Sequence, residues 1–432
     1  MKPTFRRPAR ALAGAALFAL AVGGLLEVAL RVAPGALIPL RWLERFEPGV
    51  RDAVARRIGR NAASETWVLP RDDGSPLLRL FKPHAEVVYD VGGSTGRSTH
   101  VMDELGFCNA AGDTASRGQI DLLALGDSFT ACIFQAPEDT WPSRLGRRLG
   151  ISVYDFGLGG TGPYEHLQIL RHFGLAKRPR LVVMHLYEGN DLRDSVRVQA
   201  ARAVTRGEAW TPLPDDVVER LDPRALLASP LGRRSLAWNA AVVGAARALE
   251  DVRFGWRSLA GTAPAPVDFR YDLVFPACTL AMNPQNTDQS EVRDARALRA
   301  GQISLDVFDE PLARFAALAR EHAFVPVVSY APSAHTVYAP FVRFAAPELA
   351  ALLPWFSDAQ RRHLAERARA LGLVWIDLTP AFQDAARERL DRDLLYDADS
   401  LHCTGSGHVL TAERLADAIR PLLPPAEAIN RD

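Results

Sequence analysis

The chain has 432 residues, two to three times the length of a typical domain. Hydrophobic residues make up 48% and charged residues 24%, a balance that is typical of globular proteins and excludes a disordered chain. The 51 Lys and Arg residues equal the 51 Asp and Glu residues, so the basic excess of a nucleic-acid binder is absent. Four cysteines exclude a disulfide scaffold, although they could form one or two bridges.

The neutral total conceals a basic N-terminus followed by a long uncharged run. Residues 11–26 contain no charge, and four basic residues precede them: Lys2, Arg6, Arg7 and Arg10. The first acid is Glu27, and counting from residue 11 on to Leu30 gives 20 residues, close to the ~20 that cross a bilayer as a helix. We predict an uncleaved membrane anchor here; a cleaved signal peptide and a buried soluble helix are the alternatives.

Such an anchor would determine the compartment of the remaining chain. Because basic flanks stay in the cytoplasm, everything after Arg31 is expected on the far side of the membrane. In a bacterium this predicts a single-pass inner-membrane protein whose folded part is periplasmic, where disulfides can form. The membrane is therefore an expected partner, and nucleic acid is not.

Changes in pattern divide the chain into five parts. They are a cytoplasmic tip with the anchor, a juxtamembrane extension, a catalytic domain in two segments, an insertion and a short tail. The predicted boundaries are 1–33, 34–118, 119–195 with 302–425, 196–301 and 426–432.

Short apolar runs alternate with helical patterns from residue 119 onward. Five runs are typical of buried parallel strands: 120–125, 151–156, 181–187, 324–330 and 373–378. Helical spacing follows in 141–149, 164–175, 310–322, 358–371 and 408–423. The alternation predicts an α/β fold, a three-layer α/β/α sandwich around a five-stranded parallel sheet, with a largely helical insertion.

The first motif is Gly126-Asp127-Ser128, at the end of the first predicted strand. Ligands of open α/β sheets bind at the carboxyl ends of the strands, and a serine at a helix N-terminus there is a candidate nucleophile. An ordinary turn with a helix N-cap has the same sequence. The motif alone therefore decides nothing.

Two further motifs follow the second and third predicted strands. The glycine-rich stretch 157–162 includes Gly160 and can bring backbone N–H groups close to a ligand. Its position after the second strand differs from that of a dinucleotide-binding loop. Glu188-Gly189-Asn190-Asp191 offers the Asn190 amide as a donor to an oxyanion, although Gly-Asn-Asp is also strong turn chemistry.

The fourth motif joins an acid to a histidine near the C-terminus. Asp399 and His402 have the spacing Asp-x-x-His, which lets one short loop present both side chains. Asp399 could hold the imidazole in the tautomer that accepts a serine proton. A lone histidine is usually structural, so His402 gains its significance from the other three motifs.

Together these motifs supply a nucleophile, oxyanion donors, and a base with its orienting acid, as acyl transfer requires. The sequence resembles the SGNH/GDSL hydrolase family over about 119–195 and 310–425, and most closely its membrane-anchored bacterial branch. The resemblance implies a flavodoxin-like fold, with four residues in catalytic roles: Ser128 as nucleophile, Gly160 and Asn190 in the oxyanion hole, and His402 as base. Asp155, where many members have Asn, and Gly189 directly before Asn190 depart from the family pattern.

We therefore predict a serine esterase that acts through an acyl-enzyme on O-acyl or O-acetyl groups, with envelope glycans as substrates. Asp399 would orient His402, and the Ser128 N–H would join the oxyanion hole. An O-acyltransferase acting on an envelope polysaccharide is the first alternative, because both reactions share the acyl-enzyme. A non-catalytic glycan-binding or scaffold component is the second.

No cofactor or metal is expected. The four cysteines lack C-x-x-C spacing, and their disulfide pairing is open: Cys108, Cys132, Cys278 and Cys403. Cys132 and Cys403 are close in sequence to Ser128 and His402, so both are expected near the site.

Overall fold

A computed structural model describes residues 18, 21–38, 40–43, 45–58, 66–69, 77–90, 97–110, 118–206, 223–259, 268–282, 290–390 and 392–423. These residues form two compact units. The first contains the described residues of 1–79, 205–207 and 215–264, and the second those of 80–204, 208–214 and 265–432. The first unit thus combines residues of the predicted juxtamembrane extension with residues of the predicted insertion.

Helices occur in both units. In chain order, the first nine are α1 (residues 21–32), α2 (Pro34–Leu37), α3 (Leu40–Leu43), α4 (Pro48–Ile58), α5 (Trp141–Leu149), α6 (Pro163–Ile169), α7 (Asp191–Thr205), α8 (Arg224–Leu227) and α9 (Leu236–Leu259). The others are α10 (Ser290–Arg299), α11 (Asp309–His322), α12 (Ala334–Val337), α13 (Leu349–Leu371), α14 (Thr379–Arg389) and α15 (Gly405–Ile419).

In addition to the five-stranded main sheet described below, short strands form three small sheets. Two of these are strand pairs: β1 (Thr66–Leu69) with β2 (Leu78–Phe81), and β3 (Glu86–Asp90) with β4 (Arg97–Val101). The third is an antiparallel sheet of β8 (Tyr271–Val274), β9 (Thr279–Met282) and β11 (Val342–Phe344) in the order β11-β8-β9. The predicted insertion therefore includes strands as well as helices.

The main sheet confirms the predicted five parallel strands. They are β5 (Leu122–Gly126), β6 (Val153–Gly157), β7 (Leu181–Tyr187), β10 (Val325–Ala331) and β12 (Val374–Asp377), in the order β12-β10-β7-β5-β6. Every residue of β5, β6 and β7 is buried, as expected for strands covered on both faces. The chain passes from β5 to β6 on one side and returns to β7 on the other. The crevice at the carboxyl ends of β5 and β7 is therefore the topological switch point, where ligands bind in such sheets.

Two predicted helices differ from the observed ones. The helix predicted from residue 358 begins at Leu349, because Leu353 and Phe356 extend its buried face backward by two turns. The helix predicted over 164–175 is α-helical only to Ile169 and continues as a π-helical segment, Leu170–Gly174.

The predicted membrane anchor is not confirmed. Across the residues that the structure describes, no helix is both long enough and apolar enough to cross a membrane. Nine of the 20 residues counted for the predicted anchor lie outside the described residues: 11–17, 19 and 20. Its C-terminal end is described, and there the Glu27 carboxylate accepts hydrogen bonds from the backbone N–H groups of Leu236 and Ala237 at 3.1 and 2.8 Å. Glu27 therefore caps the start of α9.

A disulfide joins Cys108 to Cys132, which answers the pairing that the sequence left open. Both cysteines are buried, with 5% and 0% of their surface exposed, and pack with Val87 and Met102. The bridge closes a loop with a sequence separation of 24. Ser128 lies within this loop, four residues before Cys132.

We expect the double variant Cys108→Ser with Cys132→Ser to lower the free energy of unfolding by about 3 kcal/mol, since the bridge restricts the unfolded chain. Denaturant unfolding of the oxidised protein measures this change. The matched control is Cys278→Ser, which alters an exposed thiol outside the bridge and should leave stability nearly unchanged. Equal stability of the double variant and the parent protein would contradict a bridge at these positions.

Candidate active site

Ser128 lies just beyond the carboxyl end of β5, at the switch point of the main sheet. Gly126 ends the strand, and a Cβ atom there would lie 2.0 Å from Oγ1 of Thr130, so the tight turn requires glycine. Asp127 is completely buried, and its Oδ1 accepts the Phe129 N–H at 2.8 Å. Ser128 is only half-buried. The turn therefore directs the acid into the protein and leaves the serine accessible at the crevice.

The glycine-rich loop after β6 passes next to this serine. A Cβ atom on Gly159 would lie 3.7 Å from Cβ of Ser128, and Gly160 has a φ of +72°, which favours glycine. Asp155 pins the start of the loop, because its Oδ1 accepts the Gly157 N–H at 2.7 Å. Burial raises the pKa of Asp155 well above its ordinary value. Its Oδ1 acts here as a hydrogen-bond acceptor, a role that an asparagine oxygen could also fill.

Asn190 lies between β7 and α7, on the other side of β5. Its Nδ2 donates to Oδ2 of Asp194 at 3.2 Å, and its side chain also hydrogen-bonds to Asp127. Since Asp127 directly precedes Ser128, these contacts hold Asn190 at the same crevice. The crevice thus contains three of the predicted site residues, Ser128, Gly160 and Asn190.

Three buried carboxyl groups lie beneath the crevice: Asp127, Asp191 and Asp194. Burial raises the pKa of Asp127 and of Asp191 above the ordinary value, and the charge of Asp194 raises both further. Hydrogen bonds from Phe129 and Asn190 oppose the shift at Asp127. Asp194 has a cationic partner, because its Oδ1 lies 3.1 Å from the Arg197 guanidinium. Sequence reasoning did not identify this cluster, since buried acids resemble turn residues in a sequence.

The raised pKa of Asp127 predicts a pH effect on stability. The folded state keeps a proton that the unfolded chain releases, so this contribution is fully present below the unfolded pKa and is lost as the pH rises. We therefore expect Asp127→Asn, which cannot ionise, to gain stability relative to the parent protein between about pH 5 and about pH 8. Denaturant unfolding at both pH values measures this difference. Asp384→Asn, at a carboxylate whose side chain is 70% exposed, is the control, and an equal pH trend in both variants would refute the interpretation.

The loop that carries His402 is held on both sides by backbone hydrogen bonds. The Asp397 N–H donates to the His402 carbonyl at 2.8 Å, and the Leu401 N–H donates to the Asp397 carbonyl at 3.0 Å. A β-bridge between Tyr396 and Cys403 closes the loop. Leu401 has a φ of +58°, which is uncommon for a leucine. This strained position directly precedes His402, as is frequent where a functional side chain must be aimed.

The His402 ring is fixed by one hydrogen bond and two aromatic contacts. Its Nδ1 lies 3.0 Å from the Ser400 carbonyl, which can only accept, so Nδ1 carries the proton of the neutral ring. Nε2 is then the atom that can take a proton. The ring stacks on Phe129 with centroids 5.0 Å apart and meets Phe134 at 5.4 Å. Because Phe129 follows Ser128 in the chain, the stacking places the His402 ring beside the turn that carries Ser128.

Asp399 lies in this loop, three residues before His402, and is half-buried. Its role as the acid that orients His402 stays a prediction, because the contact described at Nδ1 is with the Ser400 carbonyl. Asp397 supports the loop instead. Its Oδ1 accepts the Asp399 and Ser400 N–H groups at 3.1 and 2.7 Å. This Asx-type turn could have been recognised in Asp397-Ala398-Asp399-Ser400, since aspartates often bond their own backbone.

Two neighbours of the site have structural roles. Cys403 is adjacent to His402 as predicted, but burial raises the pKa of its thiol to about 12, so it is not a nucleophile. Tyr187, at the end of β7, stacks on Phe129 with centroids 3.5 Å apart. The aromatic pair thus supports the ring on which His402 lies, a role that no sequence motif indicates.

A second group of buried polar residues lies where β7 and β10 end. Atoms of Glu188, Glu291 and His335 that could bind a metal lie within 4.8 Å of one another. Their hydrogen bonds are, however, already made within the protein: His335 and Ser333 contact Glu291 at 2.8 Å, and Ser357 donates to Glu188 at 2.9 Å. The group therefore has the chemistry of a structural network rather than that of a vacant ligand set.

The chain is similar to several solved structures. No protein-family model matches the chain, and no curated protein sequence matches it. The chain is similar in structure to a protein of the G-D-S-L lipolytic family from Desulfitobacterium hafniense, at 13% identity and a TM-score of 0.36, over 69% of this chain and 99% of that one.

Two esterases of acetylated xylan are also similar. One covers 69% of this chain and 100% of its own, at 12% identity and a TM-score of 0.35. The other, from Geobacillus stearothermophilus, covers 70% and 95%, at 12% identity and a TM-score of 0.36. Such low identities and TM-scores support no conclusion about activity, which must come from the site itself.

Proposed function

We propose that this protein is a serine esterase that hydrolyses O-acyl esters through an acyl-enzyme. The observation that carries the proposal is the stacking of the His402 ring on Phe129, the residue that follows Ser128 at the switch point. The serine is accessible, and the imidazole, stacked on Phe129, has its Nδ1 proton engaged by the Ser400 carbonyl. This tautomer places the lone pair of the ring on Nε2, where it can act as a general base.

The reaction would follow the usual order of acyl transfer. Nε2 of His402 takes the proton of the Ser128 hydroxyl as its oxygen attacks the ester carbonyl. The protonated imidazole then gives this proton to the departing alcohol, which leaves the acyl group on Ser128. Water, deprotonated in turn by His402, attacks the acyl-enzyme and releases the acid.

Charge that develops on the carbonyl oxygen needs donors in place before the reaction. We assign this role to the backbone N–H groups of Ser128 and Gly160 and to the amide of Asn190. The close passage of the glycine loop by Ser128 and the position of Asn190 beside Asp127 support the assignment. The raised pKa values of Asp127 and Asp191 beneath the crevice suit it as well, since additional negative charge there would oppose an oxyanion.

Asn190→Ala should lower kcat by about 10²–10³-fold and leave KM nearly unchanged, because the amide donates more strongly to the transition state than to the bound ester. Steady-state hydrolysis of p-nitrophenyl acetate measures both constants. Gln199→Ala is the control. It removes a half-buried side-chain amide on α7 that donates to the Tyr164 hydroxyl and is not assigned to the oxyanion hole. An Asn190→Ala variant with parental kcat would remove Asn190 from the site.

We further propose that the esterase acts on acylated cell-envelope glycans outside the cytoplasm, with the N-terminal segment as its anchor. The Cys108–Cys132 disulfide supports an oxidising compartment. The basic residues before the uncharged run support insertion with the N-terminus in the cytoplasm.

A serine-directed phosphonate tests the catalytic proposal. We expect one adduct, on Ser128, that is absent from Ser128→Ala; a folded protein that forms no adduct would favour a binding or scaffold component instead. Acetylated glycan supplied with and without a second acceptor glycan then separates the products. Free acetate in both reactions indicates hydrolysis, whereas acetyl groups on the acceptor would identify an acyltransferase.

A further inference from the structure

Helix α9 of the first unit has an apolar face that the described residues of this unit leave uncovered. Four large side chains on it are exposed: Leu249 by 55%, Val252 by 56%, Trp256 by 69% and Leu259 by 84%. Their spacing of three, four and three residues places them along one side of the helix. The smaller exposed residues Ala241, Ala245 and Ala248 extend the same stripe.

The opposite face of α9 is fixed within the unit, so the stripe cannot turn inward. Glu250 is 2% exposed and forms an ion pair with Arg45 at 2.8 Å. Asn239, also buried, accepts the Glu47 N–H at 2.7 Å, and Val243 packs in the core of the unit. Helix α9 therefore has one face held by specific contacts and a second apolar face exposed to its surroundings.

The start of α9 is tied to the end of the uncharged N-terminal run. Glu27 accepts hydrogen bonds from the side chain of Ser235 and from the N–H groups of Leu236 and Ala237. Arg31 donates to the Arg234 carbonyl at 2.8 Å. A bilayer that contained residues 11–26 would thus have the first turn of α9 at its surface.

Helix α1, like α9, has exposed apolar side chains. On α1, five large side chains are exposed by 44–72%: Val22, Leu25, Leu26, Val28 and Val32. Trp256 lies 20 residues beyond Leu236, about 30 Å along the axis. A helix that long, bound at its start to the proposed anchor and apolar along one side, is typical of an interfacial helix.

We propose that the stripe of α9, from Ala241 to Leu259, lies in the surface of the bilayer and gives the first unit a second attachment beside the N-terminal run. The exposed side chains of the stripe contact the lipid at the boundary between its headgroups and its acyl chains. A contiguous patch of exposed apolar side chains on a protein surface marks an interaction site, and tryptophan is enriched at the membrane interface. The inference rests on the anchoring proposed above and assigns a role to the predicted insertion.

Single-cysteine reporters in the full chain test this proposal. With the exposed Cys278 replaced by serine, cysteine is introduced in separate proteins at Trp256, Asp251 and Leu25, and each is labelled with an environment-sensitive fluorophore. The proteins are reconstituted in phosphatidylethanolamine–phosphatidylglycerol vesicles with or without a spin-labelled lipid. Circular dichroism checks that each variant is folded. Asp251 is the matched control, since it is exposed on a different side of the same helix.

We expect the label at position 256 to gain emission several-fold in vesicles and to be quenched by the spin-labelled lipid, while the label at 251 stays water-exposed. A water-exposed label at 256 beside a quenched label at 25 would overturn the proposal and leave the anchor intact. An apolar label at 256 that the lipid does not quench would show a protein occupant, such as a second copy, and would also overturn it. Absence of quenching at both 256 and 25 would refute the anchor together with the stripe.

Discussion

Replacement of Ser128 by alanine is expected to lower kcat for ester hydrolysis by about 10⁴–10⁶-fold, the loss that removal of a serine nucleophile causes in enzymes that use one. The change deletes only an oxygen. Within the described part of the chain, the Ser128 hydroxyl makes no hydrogen bond that the methyl group would forfeit. Stability should therefore be unchanged, and the entire effect should fall on the chemical step.

Hydrolysis of p-nitrophenyl acetate by purified Ser128→Ala, compared with the parent protein, measures this loss. Ser229→Ala is a suitable control. The Ser229 hydroxyl hydrogen-bonds to backbone groups of Leu226 and Gly232 and has no proposed part in catalysis. Residual activity above a tenth of the parental value would exclude Ser128 as the nucleophile. A matching loss of unfolding free energy would instead indicate a structural role.

Replacement of His402 by alanine should reduce kcat by a similar factor, because the proposed mechanism assigns the transfer of the serine proton to this imidazole. The side chain is half-buried and is held by the Ser400 carbonyl and by Phe129, so its removal leaves a small space open to solvent. Added imidazole can enter such a space and act as a base. We therefore expect imidazole to restore part of the activity of His402→Ala.

Imidazole should not restore the activity of Ser128→Ala, which has a base but no nucleophile. His322→Ala is the control for the loss of a histidine, since this side chain is 37% exposed at the end of α11. A His402→Ala variant that keeps parental kcat would refute the assignment. Equal rescue of both variants would show that imidazole itself hydrolyses the ester.

The fold was predictable because its strands are buried on both faces. Such strands appear in the sequence as short uninterrupted apolar runs, and all five were found within two residues of their observed bounds. Helix starts were less predictable. The first two turns of α13 contain Pro354, and what stabilises them is the burial of Leu353 and Phe356, which depends on the tertiary packing around the helix.

The candidate site was predictable in its residue types and less so in its contacts. Ser128, Gly160 and Asn190 follow successive strands, and parallel strands bring their carboxyl ends to one edge of the sheet. The contact at Nδ1 of His402 could not be predicted, because a backbone carbonyl leaves no mark on the sequence. The orienting role of Asp399 stays a prediction, and the turn at Asp397, which its local sequence could have indicated, was not identified.

The sequence by itself therefore determined the order of strands and helices, the chemical groups available for catalysis and the basic, acid-free N-terminus. These are local properties, which depend on residue type and short-range spacing. Only the tertiary structure decided the Cys108–Cys132 pairing, the raised pKa values of the buried acids, the tautomer of His402 and the exposed stripe of α9. Each of these depends on which atoms meet across many residues of chain, and on whether water reaches them.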